Sequence, residues 1–316
     1  MVEPRSVQVR ALAVALALAA CAPAEEAPLA ADPYLVVLGI AQDGGYPQAG
    51  TPPGDDWIPA RRQFATSLAV VDPASGERWL FEATPDFRDQ LHLLDSIAPA
   101  DGTPGLAGIF LTHAHVGHYA GLLHLGREII GARRVPVYVM PRFTQFLRDN
   151  GPWGQLVQLE NITLQPLADG APVRLNERVT VMPFLVPHRD EYSETVGFRI
   201  AGPNRTVVFI PDIDKWERWD VEGVRIEDVV EAVDVAYLDA TFYADGEIPG
   251  RAMAEIPHPF VTETMERFRD ATPEIRARIR FIHLNRTNPA LFESDERQNV
   301  VRSGFRVAHA GEVVGL

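Results

Sequence analysis

Short apolar runs of strand length, bounded by polar, Gly or Pro positions, punctuate the chain from Tyr34 onward. They predict strands at Tyr34 to Ile40, Ser67 to Asp72, Arg78 to Glu82, Leu106 to Leu111 and Val135 to Val139. Further strands are predicted at Val179 to Val186, Thr195 to Ile200, Thr206 to Ile210, Val235 to Leu238 and Arg280 to Leu284. Helical spacing marks Asp86 to Ser96, Ala120 to Ile130, Ile226 to Ala232 and Val261 to Arg269. The stretch Thr144 to Pro172 is mixed and reads as a partly helical insertion over a site. Strands punctuated by helices predict an α/β layering, with sheets packed on one another and helices outside.

The chain has 316 residues, 46% of them hydrophobic, enough for a large core. From Tyr34 there is no linker or repeat, so residues 34–316 read as one domain. The formal charge of -14 carries no basic footprint for nucleic acid, and the expected partner is a small-molecule substrate. An anionic substrate stays possible, through metal ions and local arginines. The N-terminus changes the picture. Arg5 and Arg10 precede the apolar run Ala11 to Ala20, too short to span a bilayer. The run ends in Leu18-Ala19-Ala20-Cys21, which looks like a bacterial lipoprotein lipobox. Residues 1–21 are therefore expected to be a lipoprotein signal peptide with Cys21 as lipidation site, and residues 22–33 a tether. The protein would be anchored by lipid in the bacterial cell envelope, at the periplasmic face or outer membrane. The alternative is an ordinary cleaved secretory signal. Cys21 is the single cysteine, which excludes intramolecular disulfides.

The candidate chemistry sits at strand ends. Leu111-Thr112-His113-Ala114-His115-Val116-Gly117-His118 closes one apolar strand. Histidines at i and i+2 of an extended segment share a face, and a third can enter the first turn of a following helix. Three later apolar runs end in His188, Asp212 and His283. Strand ends aim side chains rigidly, and His with Asp suits zinc, iron or manganese. Each residue alone has a bland reading: a structural histidine, or a Pro-Asp turn for Asp212. The combination is specific.

This order, HxHxxH then His, Asp and His, resembles the metallo-β-lactamase superfamily, and is similar above all to the pyrroloquinoline quinone biosynthesis B family and its hydrolase-like relatives. The resemblance is carried by Val37 to Gln48, Ala83 to Arg88, the His113 cluster, Val186 to Arg189 and Phe281 to Pro289. It implies an αββα sandwich with a metal site along one edge between the sheets. By position, His113, His115 and His188 would hold a first metal, Asp212 would bridge two, and His118 and His283 would serve a second. The implied reaction is attack by metal-bound hydroxide on a phosphodiester, carboxylic ester or lactam. In it Asp212 orients the nucleophile while His118 and His283 stabilise charge, and zinc, one ion or two, is the expected cofactor. Substrate choice would lie in the loops Tyr138 to Pro172 and Asp214 to Arg225.

Two departures stand out. Gly117 occupies the place of the superfamily's aspartate in HxHxDH, which reduces the second ligand set. Asp43 could reach in as a substitute, or serve only its Gly-rich turn. The cysteine cluster usual after Pro-Gln in the biosynthesis family is replaced by Ala49 to Gly54. Asp86, Asp239 and His258 are candidates for supporting the site or touching substrate, with helix capping the alternative for Asp86. Trp216 and Trp219 could form a lip or simply pack. Two rival functions remain: an iron-dependent oxidoreductase of quinone-cofactor biosynthesis, and a tethered, non-catalytic binding protein.

Overall fold

A computed structural model of the chain describes residues 32–253 and 256–316. The strands in chain order are β1 Tyr34–Gly39, β2 Ser67–Asp72, β3 Glu77–Phe81, β4 Gly108–Phe110, β5 Val135–Val139, β6 Ile162–Pro166 and β7 Val173–Arg174. They continue with β8 Thr180–Leu185, β9 Val196–Ala201, β10 Thr206–Ile210, β11 Val235–Asp239, β12 Ile279–Ile282, β13 Arg306–Val307 and β14 Val313–Gly315. The helices are α1 Phe87–Ile97, α2 Val116–Tyr119, α3 Pro141–Asp149, α4 Trp153–Gln158, α5 Trp216–Val221, α6 Ile226–Glu231, α7 Val261–Arg267, α8 Pro273–Arg278 and α9 Asp295–Arg302.

Two seven-stranded mixed sheets result, in the orders β14-β1-β2-β3-β4-β5-β6 and β13-β12-β11-β10-β9-β8-β7. Period-two alternation sorts the first sheet's side chains. Leu35, Val37, Leu68, Val70, Trp79, Phe81 and Phe110 join the core shared with the second sheet. Their neighbours Val36, Leu38, Ala69, Val71, Leu80 and Ile109 face a separate outer core under α1, α3 and α4. Phe198 of β9 meets Phe81 and Phe110 edge-on, with ring centroids 5.5 and 5.6 Å apart, which locks the two inner faces together. Helices α5, α6 and α7 bury Trp216, Trp219, Ile226, Val230 and Val261 in the core on the second sheet's side. This is the αββα sandwich that the resemblance implies.

Two expectations are corrected. Ala120 to Ile130 is not an α-helix: a single α-turn, α2, gives way to a 3-10 segment, Ala120–Leu125. The backbone is diverted there, because Gly121 N donates to Ala83 O at 2.8 Å and His118 O accepts from Ala83 N at 2.8 Å. Thr144 to Pro172 is no insertion over the site. It supplies most of α3, all of α4 and the edge strand β6, and Leu147, Leu156 and Ile162 are spent on the outer core. Trp216 and Trp219 are buried, as the packing alternative has it. Ahead of β1, Pro33 O accepts from Leu316 N at 2.8 Å, and Asp32 lies 3.7 Å from Arg178. The expected signal peptide, Cys21 and the rest of the tether lie outside the described residues.

Candidate metal centre

Within each sheet β1, β3, β4, β8, β10, β11 and β12 share one direction, so their C-terminal ends collect at one edge of the sandwich. His113 and His115 follow β4, His118 lies in α2, His188 follows β8, Asp212 follows β10, Asp239 closes β11 and His283 follows β12. The edge is also where the sheets join. Gln42 N donates to Leu284 O and Leu284 N donates to Ile40 O, both at 2.8 Å. That stitch lays the loop after β1, and with it Asp43, beside His283.

The metal-competent atoms form overlapping groups, each with all ligand atoms within 4.8 Å: His113, His115 and His188; Asp43, His118 and His283; His113, His118 and Asp212; and His188, Asp212 and His258. Asp212 is central. Its Oδ2 lies 2.9 Å from His118 Nε2, 3.2 Å from His283 Nε2 and 3.7 Å from His113 Nε2. Its Oδ1 lies 3.9 Å from His188 Nε2 and 3.5 Å from His258 Nδ1.

His113, His115, His188 and His283 are each held from behind by a hydrogen bond. Carboxylates only accept, so the nitrogen that faces one carries the proton and the other nitrogen keeps its lone pair. His188 Nδ1 faces Asp214 at 3.1 Å, and His115 Nε2 faces Glu191 at 3.2 Å. The Thr241 hydroxyl donates to Asp239 at 2.7 Å, leaving its oxygen to accept from His283 Nδ1 at 3.0 Å. His113 Nδ1 meets the Thr112 hydroxyl at 2.8 Å, and Glu82 stands 3.6 Å from His118 Nδ1. His113 Nε2 meets His115 Nδ1 at 2.7 Å, whereas other inward atoms, like the outward His118 Nδ1, are orphaned. His118 Nε2, His188 Nε2, His283 Nε2 and Asp212 Oδ2 are buried without a hydrogen-bond partner. Buried polar atoms without partners are costly, and here they converge on one place, which fits a divalent cation.

Charge follows the same plan. Burial would raise Asp212, but the neighbouring His283 and His118 outweigh it and hold the carboxyl well below its ordinary value. Burial drives His113 well down, helped by His118 beside it, so it is neutral near pH 7. His118 goes the other way: burial lowers it, but Glu82, Asp212 and Asp43 carry it well above the ordinary imidazole value. His258 is pushed up to about 9, because the Asp239 carboxylate 2.7 Å away overrides its burial.

The structure gathers His113, His115, His118, His188, Asp212, His283, Asp43 and His258 around one centre, with Asp239 behind His258. Asp86 stands apart. It occupies the N-cap position of α1 without a side-chain capping bond. Its carboxylate accepts from Ala65 N at 2.9 Å and pairs with Arg62. The sequence reading passed over Glu82, Glu191, Asp214 and Thr241. Glu82 closing an apolar strand and Asp214 two residues beyond Asp212 were the available signals. Three site residues, Asp43, Glu82 and His283, have positive φ of 32°, 73° and 65°. Such left-handed conformations cost a non-glycine residue about 1–3 kcal/mol and collect at functional sites.

The comparisons with known proteins agree with this architecture. The Beta-lactamase superfamily domain profile matches residues 77–284. Coenzyme PQQ synthesis protein B of Xanthomonas axonopodis pv. citri is 29% identical, over 89% of this chain and 99% of its own length. The protein of the same name from Gluconobacter oxydans is 30% identical, over 88% and 96%. Among solved structures, Zn(2+)-bound PqqB from Methylobacterium extorquens superposes with a TM-score of 0.73 at 24% identity, covering 90% of this chain and all of that one. A diphosphatase of the PhnP family superposes with a TM-score of 0.61 at 18% identity, over 90% and 97%. The chain belongs to the metallo-β-lactamase superfamily and is PqqB-like within it.

Proposed function

We propose that the protein is a metal-dependent hydrolase acting on an ester-type centre, a phosphodiester, carboxylic ester or lactam. The observation that carries this reading is the set of buried, unpartnered donor atoms on His118, His188, His283 and Asp212, converging at the sheet edge. In this reading His113, His115 and His188 hold the first cation, zinc by preference for this imidazole set. A divalent cation there supplies water activation near neutral pH and polarisation of the scissile group.

The chain's own groups do the rest. Asp212, kept ionised among the histidines, orients the attacking water through Oδ2. His118 and His283 would hold a second cation through their inward nitrogens, and its charge would stabilise the negative charge that develops on the substrate. Asp214, Glu191 and Thr241 fix three of the rings from behind, and Glu82 stands behind His118. The deep ligands are buried, whereas the side chains of Asp43 and Glu191 are 43% and 50% exposed, so substrate would enter past these two.

The test is a panel of a phosphodiester, an aryl ester and a lactam against the zinc-loaded protein. Hydrolysis of at least one, lost with a chelator and in His115→Ala, is expected. Inertness towards all three, with metal bound, would leave the non-catalytic binding reading. The similarity to coenzyme PQQ synthesis protein B favours one second reading, a role in quinone-cofactor synthesis, which would use iron for oxygen chemistry at the same ligands. Iron in the purified protein and oxygen consumption would select it. The lipobox-like run ending in Cys21 supports a lipid-anchored envelope location, which acyl labelling of wild type against Cys21→Ser would test.

A further inference from the structure

The structure assigns Asp43 as the carboxylate arm of a second cation site, completed by His118 and His283, in the space that a side chain at position 117 would otherwise need. This inference rests on the metal-dependent reading above and adds to it the residue that makes the second ion's site possible.

Three observations carry it. First, Asp43 Oδ1 lies 3.4 Å from His118 Nε2 and 3.9 Å from His283 Nε2. Both nitrogens are buried and lack a hydrogen-bond partner. Asp212 Oδ2, also orphaned, faces the same two nitrogens at 2.9 and 3.2 Å. Two imidazole nitrogens and two carboxylate oxygens make a donor set of the kind zinc, iron and manganese accept.

Second, position 117 and Asp43 exclude each other. A Cβ on Gly117 would sit 2.1 Å from Asp43 Oδ1 and 2.5 Å from Asp43 Cα. The second contact is with backbone, so no rotamer change relieves it. Glycine at 117 is therefore what admits the Asp43 loop, and the carboxylate that the His113 to His118 segment lacks arrives from another part of the chain.

Third, the loop is held there. Gln42 N is bonded to Leu284 O, next to His283, and the Asn285 amide reaches the Gln42 side chain. Gly45 N closes the turn on Gln42 O at 2.9 Å. Asp43 itself is kept at φ 32°, a conformation a free loop would relax. A loop pinned on both sides of a strained aspartate presents its carboxylate in one place.

The experiment is zinc stoichiometry and affinity of the full-length chain in detergent, by elemental analysis after equilibrium dialysis against zinc. Wild type, Asp43→Ala and Gly117→Ala are compared. Wild type is expected to hold two ions per chain. Asp43→Ala is expected to hold one, the second site weakened at least tenfold. Gly117→Ala removes no donor atom, yet its methyl group displaces Asp43, so it too is expected to hold one ion. Retention of the first ion shows that each variant is folded. Two ions with unchanged affinity in Asp43→Ala would overturn the assignment. One ion in wild type, unchanged in Asp43→Ala, would overturn it while leaving the single-metal hydrolase reading intact. No ion in any form would overturn both.

Discussion

The Asp214 carboxylate stands 3.1 Å from Nδ1 of His188, and that contact fixes which nitrogen of His188 can face the centre. Asp214 is fully buried and is held in turn by Pro187 O, which accepts from its backbone N at 2.7 Å, and by the Arg218 guanidinium. Removing the acceptor frees the ring to flip or change tautomer. Asp214→Ala is expected to weaken zinc binding at the three-histidine site about 10- to 100-fold, the usual cost of losing a carboxylate behind a ligand histidine. Competition with a chromophoric chelator measures it. An unchanged affinity would mean that packing alone orients His188.

A second prediction concerns acid stability, far from the centre. Asp72, at the end of β2, accepts from Arg178 Nε at 3.2 Å and Asn176 Nδ2 at 2.8 Å, across from β8. The contact ties one sheet to the other. Burial raises the Asp72 carboxyl, but the Arg178 hydrogen bond and its neighbours outweigh this and hold it below the ordinary carboxylate value. A carboxyl depressed in the folded state stabilises the fold above its unfolded pKa. That contribution fades as pH falls through the folded value. Asp72→Asn should therefore cost about 1–3 kcal/mol at pH 7, and the difference should vanish well below pH 4. Urea titrations of both proteins across that range give the answer. A pH-independent difference would assign the effect to shape instead.

Arg78 offers a test of how the outer layer is held. Its side chain is 2% exposed, and its guanidinium donates to Gly105 O, Ala98 O and Pro104 O at 2.9, 2.7 and 3.0 Å, as well as to Asp95. These bonds close the loop between α1 and β4, the strand that leads into the histidine cluster. Arg78→Met keeps the stem and strands the acceptors, at a cost of about 3 kcal/mol or more. The expected readout is a lower melting temperature. Metal affinity of the remaining folded protein should change little, because Arg78 touches no ligand. Equal stability would mean that water replaces the guanidinium.

The strands that carry ligands were legible because each is a short, mostly apolar run, and the ligands were legible because each stands just beyond one. His113, His115, His188, Asp212 and His283 all follow that rule. The residues behind them do not. Glu191 and Thr241 lie in loops whose path depends on contacts distant in sequence, and nothing local marks them. Asp43 is the sharpest case. The sequence offers it as one of two readings, and the pairing of Gln42 with Leu284, at opposite ends of the domain, brings it to the centre. The helix expected at Ala120 to Ile130 failed for a related reason: Ala83 competes for the backbone groups of His118 and Gly121. Strands β13 and β14 span two and three residues, too short to show a period.

The central claim is that the converging imidazoles hold a divalent metal. Elemental analysis of the purified protein beside a His115→Ala variant tests it most directly. At least one tightly held zinc per chain in wild type, lost or sharply reduced in the variant, is the predicted result. A wild-type protein that takes up no metal even after reconstitution would contradict the account.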